Sequence, residues 1–172
     1  MGLFDRLFSN VKITPAKYLF ENNLKASKDL LEPKDCSNGA VFEALLFASI
    51  YTLRFIRNYN PRIYNQFEKD YFMEVLLFAN SQGITKQLSI NVNDFINGRM
   101  EMYGNELNHL LSNENGDYVP IKFAYNLYEK PLKPTSGESW DLEKTFLLAY
   151  KIKTVIETIN DGTSSLIAKG SI

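Results

Sequence analysis

Wound as a helix, the segment Ala40–Ile56 (AVFEALLFASIYTLRFI) points apolar side chains in almost every direction. Val41, Leu45, Ala48 and Phe55 form one stripe, and Phe42, Leu46, Leu53 and Ile56 form a second beside it. Phe47 and Ile50 interrupt the remaining face. A helix that is apolar all round is enclosed by protein or by lipid. Glu43 and Arg54 leave an uncharged run well short of the roughly 20 residues that a bilayer demands, which argues against a transmembrane segment. The pattern therefore predicts an all-α, single-domain, irregular bundle of about five to seven helices around a central helix at about Ala40–Arg57.

The same periodicity places the other elements. Leu3, Phe4, Leu7 and Phe8 share one side of a short opening helix over residues 1–9, too short to persist undocked. Thr14-Pro15 is a start signal, with Thr as N-cap and Pro at the first helical position, and Glu32-Pro33 stops that helix near Leu31. Ser37-Asn38-Gly39 opens the central helix, and Asn58–Pro61 turns the chain into a helix from Arg62 to about Ser81, closed by Gly83. Ile84–Ile90 reads as a loop or short strand. Asn91 to about Leu111 reads as a helix weakened at Gly98 and Gly104 by about 1 kcal/mol each. A short helix over Tyr118–Tyr128 follows, then a loop at Pro131–Gly137. The last helix, Trp140–Asn160, carries Leu142, Phe146, Leu147, Tyr150, Ile152, Val155 and Ile159 and stops at Asp161-Gly162, leaving 163–172 as a tail. Leu45, Leu46, Phe47, Leu76 and Leu77 are the predicted core.

Composition narrows the function classes. The chain has 172 residues, within the roughly 100–200 of one domain, and 45% hydrophobic content is enough for a large core. With 19 Lys+Arg against 20 Asp+Glu, no global field favours nucleic acid. One cysteine, Cys36, rules out an internal disulfide framework and fits a reducing cytoplasm. No signal peptide is visible at the N-terminus, and Arg6 stands where a myristoylation motif needs Ser or Thr. Abundant Asn, Lys and Ile suggest an AT-rich bacterial genome.

Candidate chemistry is sparse. FEALLFA at 42–48 and MEVLLFA at 73–79 echo each other within repeat-like spacing, but no third copy exists and at least about three units are needed for a stable array. In an antiparallel hairpin, Glu74 falls within on the order of 3 Å of the level of Glu43. Glu106 and His109 add a Glu-x-x-His spacing, and Glu143 is a fourth acid. Glu43, Glu74, Glu106 and His109 thus form an alternative metal site, resembling in part the ferritin-like carboxylate bundles; with one histidine in the chain, the second Glu-x-x-His that such a site needs is missing. The plainer reading puts Glu43 at a helix N-terminus and the other acids in solvent. Cys36 and His109 supply no complete triad or dyad, and phosphate-loop, G-x-S-x-G, C-x-x-C and H-E-x-x-H motifs are absent. No cofactor is implied.

One surface feature remains. Arg54, Arg57 and Arg62, three of the five arginines, surround the turn after the central helix beside Tyr59 and Tyr64, with Tyr51 nearby. Arg with Tyr is a composition enriched at protein interfaces, and it also suits a small anion or stacked bases. The plainer reading is a helix end whose cations oppose its dipole. The expected role is a non-enzymatic interaction subunit or adaptor in a bacterial cytoplasmic assembly, with a protein partner or a second copy of the chain. A metal-binding bundle and an anion or nucleic-acid binder stand as alternatives. Leu3, Phe4, Leu7 and Phe8 are expected to dock on the domain, on a partner or peripherally on a membrane.

Overall fold

Thr14 and Ser37 act as the N-caps that their positions predict: the Thr14 hydroxyl accepts from Lys17 N at 3.2 Å and that of Ser37 from Ala40 N at 3.1 Å. The computed structural model describes residues 13–31, 36–112, 121–128, 131–133 and 142–172, with backbone alone at 142–146 and at 149. Leu3, Phe4, Leu7 and Phe8, and the side chain of Glu143, lie outside the described residues. The helices are α1 (Pro15–Asp29), α2 (Asn38–Tyr59), α3 (Pro61–Ser81), α4 (Val92–Ser112), α5 (Ile121–Tyr128) and α6 (Leu142–Ala168). No strand occurs among the described residues. Ile84–Ile90 begins instead with a 3-10 turn at Ile84–Lys86, entered through Gly83 at φ 67. That left-handed conformation is the reason a glycine ends α3.

The central helix is where its pattern puts it. Among the described residues α2 packs against each of the other helices, and Leu45, Leu46 and Phe47 are buried. It is also, among the described residues, the one helix long and apolar enough to cross a membrane, yet most of its length is covered by the rest of the chain. Phe47 stacks on Phe123 of α5 at 4.2 Å between ring centroids, and Phe42 lies between Phe78 of α3 and Phe95 of α4. Leu77 corrects the predicted core, because it is 55% exposed, and Leu76 is half-buried. α3 buries a single stripe, Phe67, Tyr71, Val75 and Ala79, repeating every fourth residue, and Leu77 falls on the opposite side of it. The echoed segments therefore share letters but not surroundings, since residues 42–48 of α2 are all buried and α3 buries one stripe.

The C-terminal boundary is the second correction. α6 runs through Asp161-Gly162 to Ala168, and Thr163 and Leu166 in the supposed tail are buried. A Cβ on Gly162 would stand 2.6 Å from Asn22 Nδ2, so this glycine serves the close approach of α6 to α1. Its cost in helix propensity, about 1 kcal/mol, is offset by the burial of Leu166. The apolar stripe of α6 is also shifted. Leu148, Ile152, Val155 and Ile159 are buried, whereas Leu147 and Tyr150 face water at 47% and 74% exposure.

A polar cluster lies inside the packing of α1, α2 and α3. The Tyr71 hydroxyl accepts from Asn23 Nδ2 at 2.6 Å and lies 3.0 Å from Ser49 Oγ. Ser49 donates its own proton to Leu45 O at 2.6 Å, so Tyr71 is the donor to Ser49. Asn23 also donates to Thr52 Oγ1 at 2.8 Å. These bonds join three helices at one level and give their packing a specific register.

Candidate functional site

The elbow between α2 and α3 forms at Asn60, which caps neither helix with its side chain, and Pro61 starts α3 with a φ already suited to a helix. Arg57 and Arg62 flank it and are both exposed, as is Tyr59 at 48%. The Arg57 guanidinium lies over the Tyr64 ring, 5.7 Å from its centroid, and the Tyr59 ring stacks on Phe55 at 6.1 Å. Tyr64 is half-buried and donates its hydroxyl to Glu68. Burial first, and then the Glu68 carboxylate, push the Tyr64 phenol up to about 12. Among the described residues Arg57 and Arg62 make no ion pair.

Arg54 has a different position from the other two. It is half-buried and donates from Nη1 to Asn108 Oδ1 at 2.6 Å and from Nη2 to Gly104 O at 2.9 Å, joining α2 to α4. A Cβ at position 104 would come within 3.1 Å of Arg54 Nη2, so Gly104 admits the guanidinium to the α4 backbone. Both acceptors are neutral. Burial lowers the pKa of Arg54 from its ordinary value. The three arginines therefore lie around one end of α2, with two exposed and one anchored.

The four residues of the alternative metal site do not form one. Among the described residues no group of three or more His, Cys, Asp or Glu side chains is placed to hold a metal ion. Glu43 is fully buried and neither points to solvent nor meets Glu74, which is half-buried on α3. Its carboxylate accepts from Arg99 Nε at 3.0 Å and Arg99 Nη2 at 3.0 Å, from the Tyr103 hydroxyl, and from Leu132 N at 2.9 Å. Burial raises the Glu43 pKa, while the Arg99 charge, Tyr103 and the Leu132 amide act to lower it. Arg99 lies over the Phe95 ring at 4.7 Å and also donates to Lys133 O. Leu132 adopts φ 65, a conformation costly for a side chain with a Cβ, and its amide is held by Glu43.

Glu106 is likewise buried rather than solvated. Its two oxygens accept from Lys122 N at 2.8 Å and Phe123 N at 2.7 Å, so an acid on α4 satisfies the free amides at the start of α5. Burial raises the Glu106 pKa against these bonds. Glu106 and His109 line an open pocket of about 500 Å3 with Glu101 and Lys122. Cys36 is exposed just before α2.

Arg99 and Tyr103 are the residues that the sequence pattern passed over. An acid within an otherwise apolar helix needs a buried cation or a proton, and Arg99 is the one arginine besides Arg6 and the three at the elbow. Compared with models of protein families, with curated proteins and with solved structures, the chain matches none.

Proposed function

We propose that this chain is a non-enzymatic protein-interaction subunit or adaptor, and that it meets its partner at the elbow between α2 and α3. The observation that carries this reading is Arg62. It sits in the first turn of α3, immediately after Pro61, where the positive end of the helix dipole disfavours a cation. Arg57, in the last turn of α2, is explained by the dipole; Arg62 is not. An exposed guanidinium at that end of a helix, without an ion pair among the described residues, suits a carboxylate or carbonyl of a partner.

The neighbouring groups suit a protein partner. Arg and Tyr are enriched among the residues that dominate interface energetics. Tyr59 offers a ring held by Phe55, and Tyr64 holds the guanidinium of Arg57 from below, which reduces the entropy lost on binding. The experiment is site-directed photo-crosslinking in cells, with the reactive residue at Tyr59 and, as control, at the exposed Lys153 of α6. The expected result is a discrete crosslinked protein from position 59 and none from 153. No adduct at 59, or equal yields at both sites, overturns the proposal.

A further inference from the structure

Behind the elbow, α2 and α4 leave an open groove of about 550 Å3, lined by Tyr51, Arg54, Phe55, Arg57, Asn108 and Leu111 among others. Two properties of that lining converge on one kind of ligand. The first is charge. Arg54 and Arg57 bring two guanidinium groups, and no carboxylate lines the groove among the described residues. The hydrogen bonds from Arg54 to the Asn108 amide and the Gly104 carbonyl hold it in place without cancelling its charge. A cation fixed by neutral partners in a concave, half-buried site raises the local potential for an anion.

The second property is apolar surface. Leu111 is 55% exposed, and Tyr51 and Phe55 are half-buried along the same groove. An isolated anion leaves that surface wet, and a purely apolar ligand leaves two arginines without a counter-charge. We infer that the groove takes a short acidic segment of a partner protein, with a carboxylate facing Arg54 and Arg57 and an adjacent apolar side chain covering Leu111 and Phe55. The inference rests on the interaction-module reading and adds the chemistry of the segment that is bound. Nucleic acid fits less well, because its affinity comes from neutralising many phosphates, and the groove supplies two cations in a chain of net charge −1.

The test uses the full chain and fluorescence anisotropy. The probe is a short fluorescein-labelled peptide of alternating glutamate and leucine. Glutamine–leucine and glutamate–serine peptides and a labelled single-stranded DNA are run beside it. The glutamate–leucine peptide should bind, with affinity about tenfold or more above that of either control peptide and of the DNA. Arg57→Gln and Leu111→Ser, both at exposed positions, should each weaken it by about tenfold while the helical circular dichroism is unchanged. No binding of this peptide, equal binding of either control peptide, or tighter binding of the DNA overturns the inference. If the peptide fails while the adduct at Tyr59 persists, the groove is wrong and the interaction module stands. Loss of the adduct removes the module itself.

Discussion

Glu43 Oε2 lies 3.0 Å from Arg99 Nε, with both side chains buried, so α2 and α4 are joined by an ion pair inside the core. The Tyr103 hydroxyl and the Leu132 amide complete the shell of donors around the carboxylate, and residues 131–133 are held against the bundle through it. Such a pair adds little net stability over well-packed apolar residues, but losing one partner leaves a buried charge uncompensated.

Arg99→Met should therefore destabilise the protein by about 3–5 kcal/mol in urea denaturation. Glu43→Leu combined with Arg99→Met should cost less than Arg99→Met alone, since the orphaned charge is gone. A single-variant loss below about 1 kcal/mol, within the range of an exposed pair, would show that the pair does not hold α4 to α2.

The packing of α2 and α3 separates two leucines that look equivalent in the echoed segments. Leu46→Ala should cost about 2–5 kcal/mol, as for a fully buried leucine. Leu77→Ala, at 55% exposure, should stay within about 0.5 kcal/mol of the parent. Equal losses at the two positions would refute the single-stripe burial of α3.

Tyr71 sets an alkaline limit on stability. Complete burial pushes its phenol up to about 12 from an ordinary value of 10.0. The unfolded chain gives up this proton first, so the stabilisation is fully present below pH 10.0 and is lost as pH rises towards about 12. Tyr71→Phe should remove this part of the pH dependence. It should also cost about 1–3 kcal/mol near neutrality, because Asn23 Nδ2 and Ser49 lose a buried partner. An unchanged alkaline slope in the variant would contradict the assignment.

Glu106 should act as a cap supplied from outside the helix it serves. Glu106→Ala should destabilise the protein by about 1–2 kcal/mol, in the range of lost N-caps. Hydrogen exchange should quicken first at the amides of Lys122 and Phe123, which the carboxylate accepts. Unaltered exchange at both amides would mean that the start of α5 is secured by other groups.

Local physics reached the helices and stopped at the buried polar groups. Thr14-Pro15, Ser37 and Gly83 carry their start and stop signals in their own chemistry, and the apolar surround of α2 is visible in its letters alone. Gly162 reads as a helix end because a glycine that ends a helix and one that admits a neighbouring helix look alike in one dimension. Glu43 and Glu106 were legible as unusual acids but not by partner, since Arg99 is 56 residues away along the chain and Lys122 N is 16. The elbow could be read because Arg57, Tyr59, Arg62 and Tyr64 are adjacent in sequence. The role of Arg54 could not, since it depends on the meeting of α2 with Gly104 and Asn108.

Recognition through Arg57 and Arg62 is tested most directly by the crosslinking yield from position 59 in the Arg57→Ala, Arg62→Ala double variant. Both sites are exposed, so each substitution should change stability by no more than about 0.5 kcal/mol. The yield of the partner adduct should nonetheless fall about tenfold or more, as expected when interface arginines are removed. A variant equally stable to heat that still gives the parental yield of adduct would contradict recognition by these two arginines.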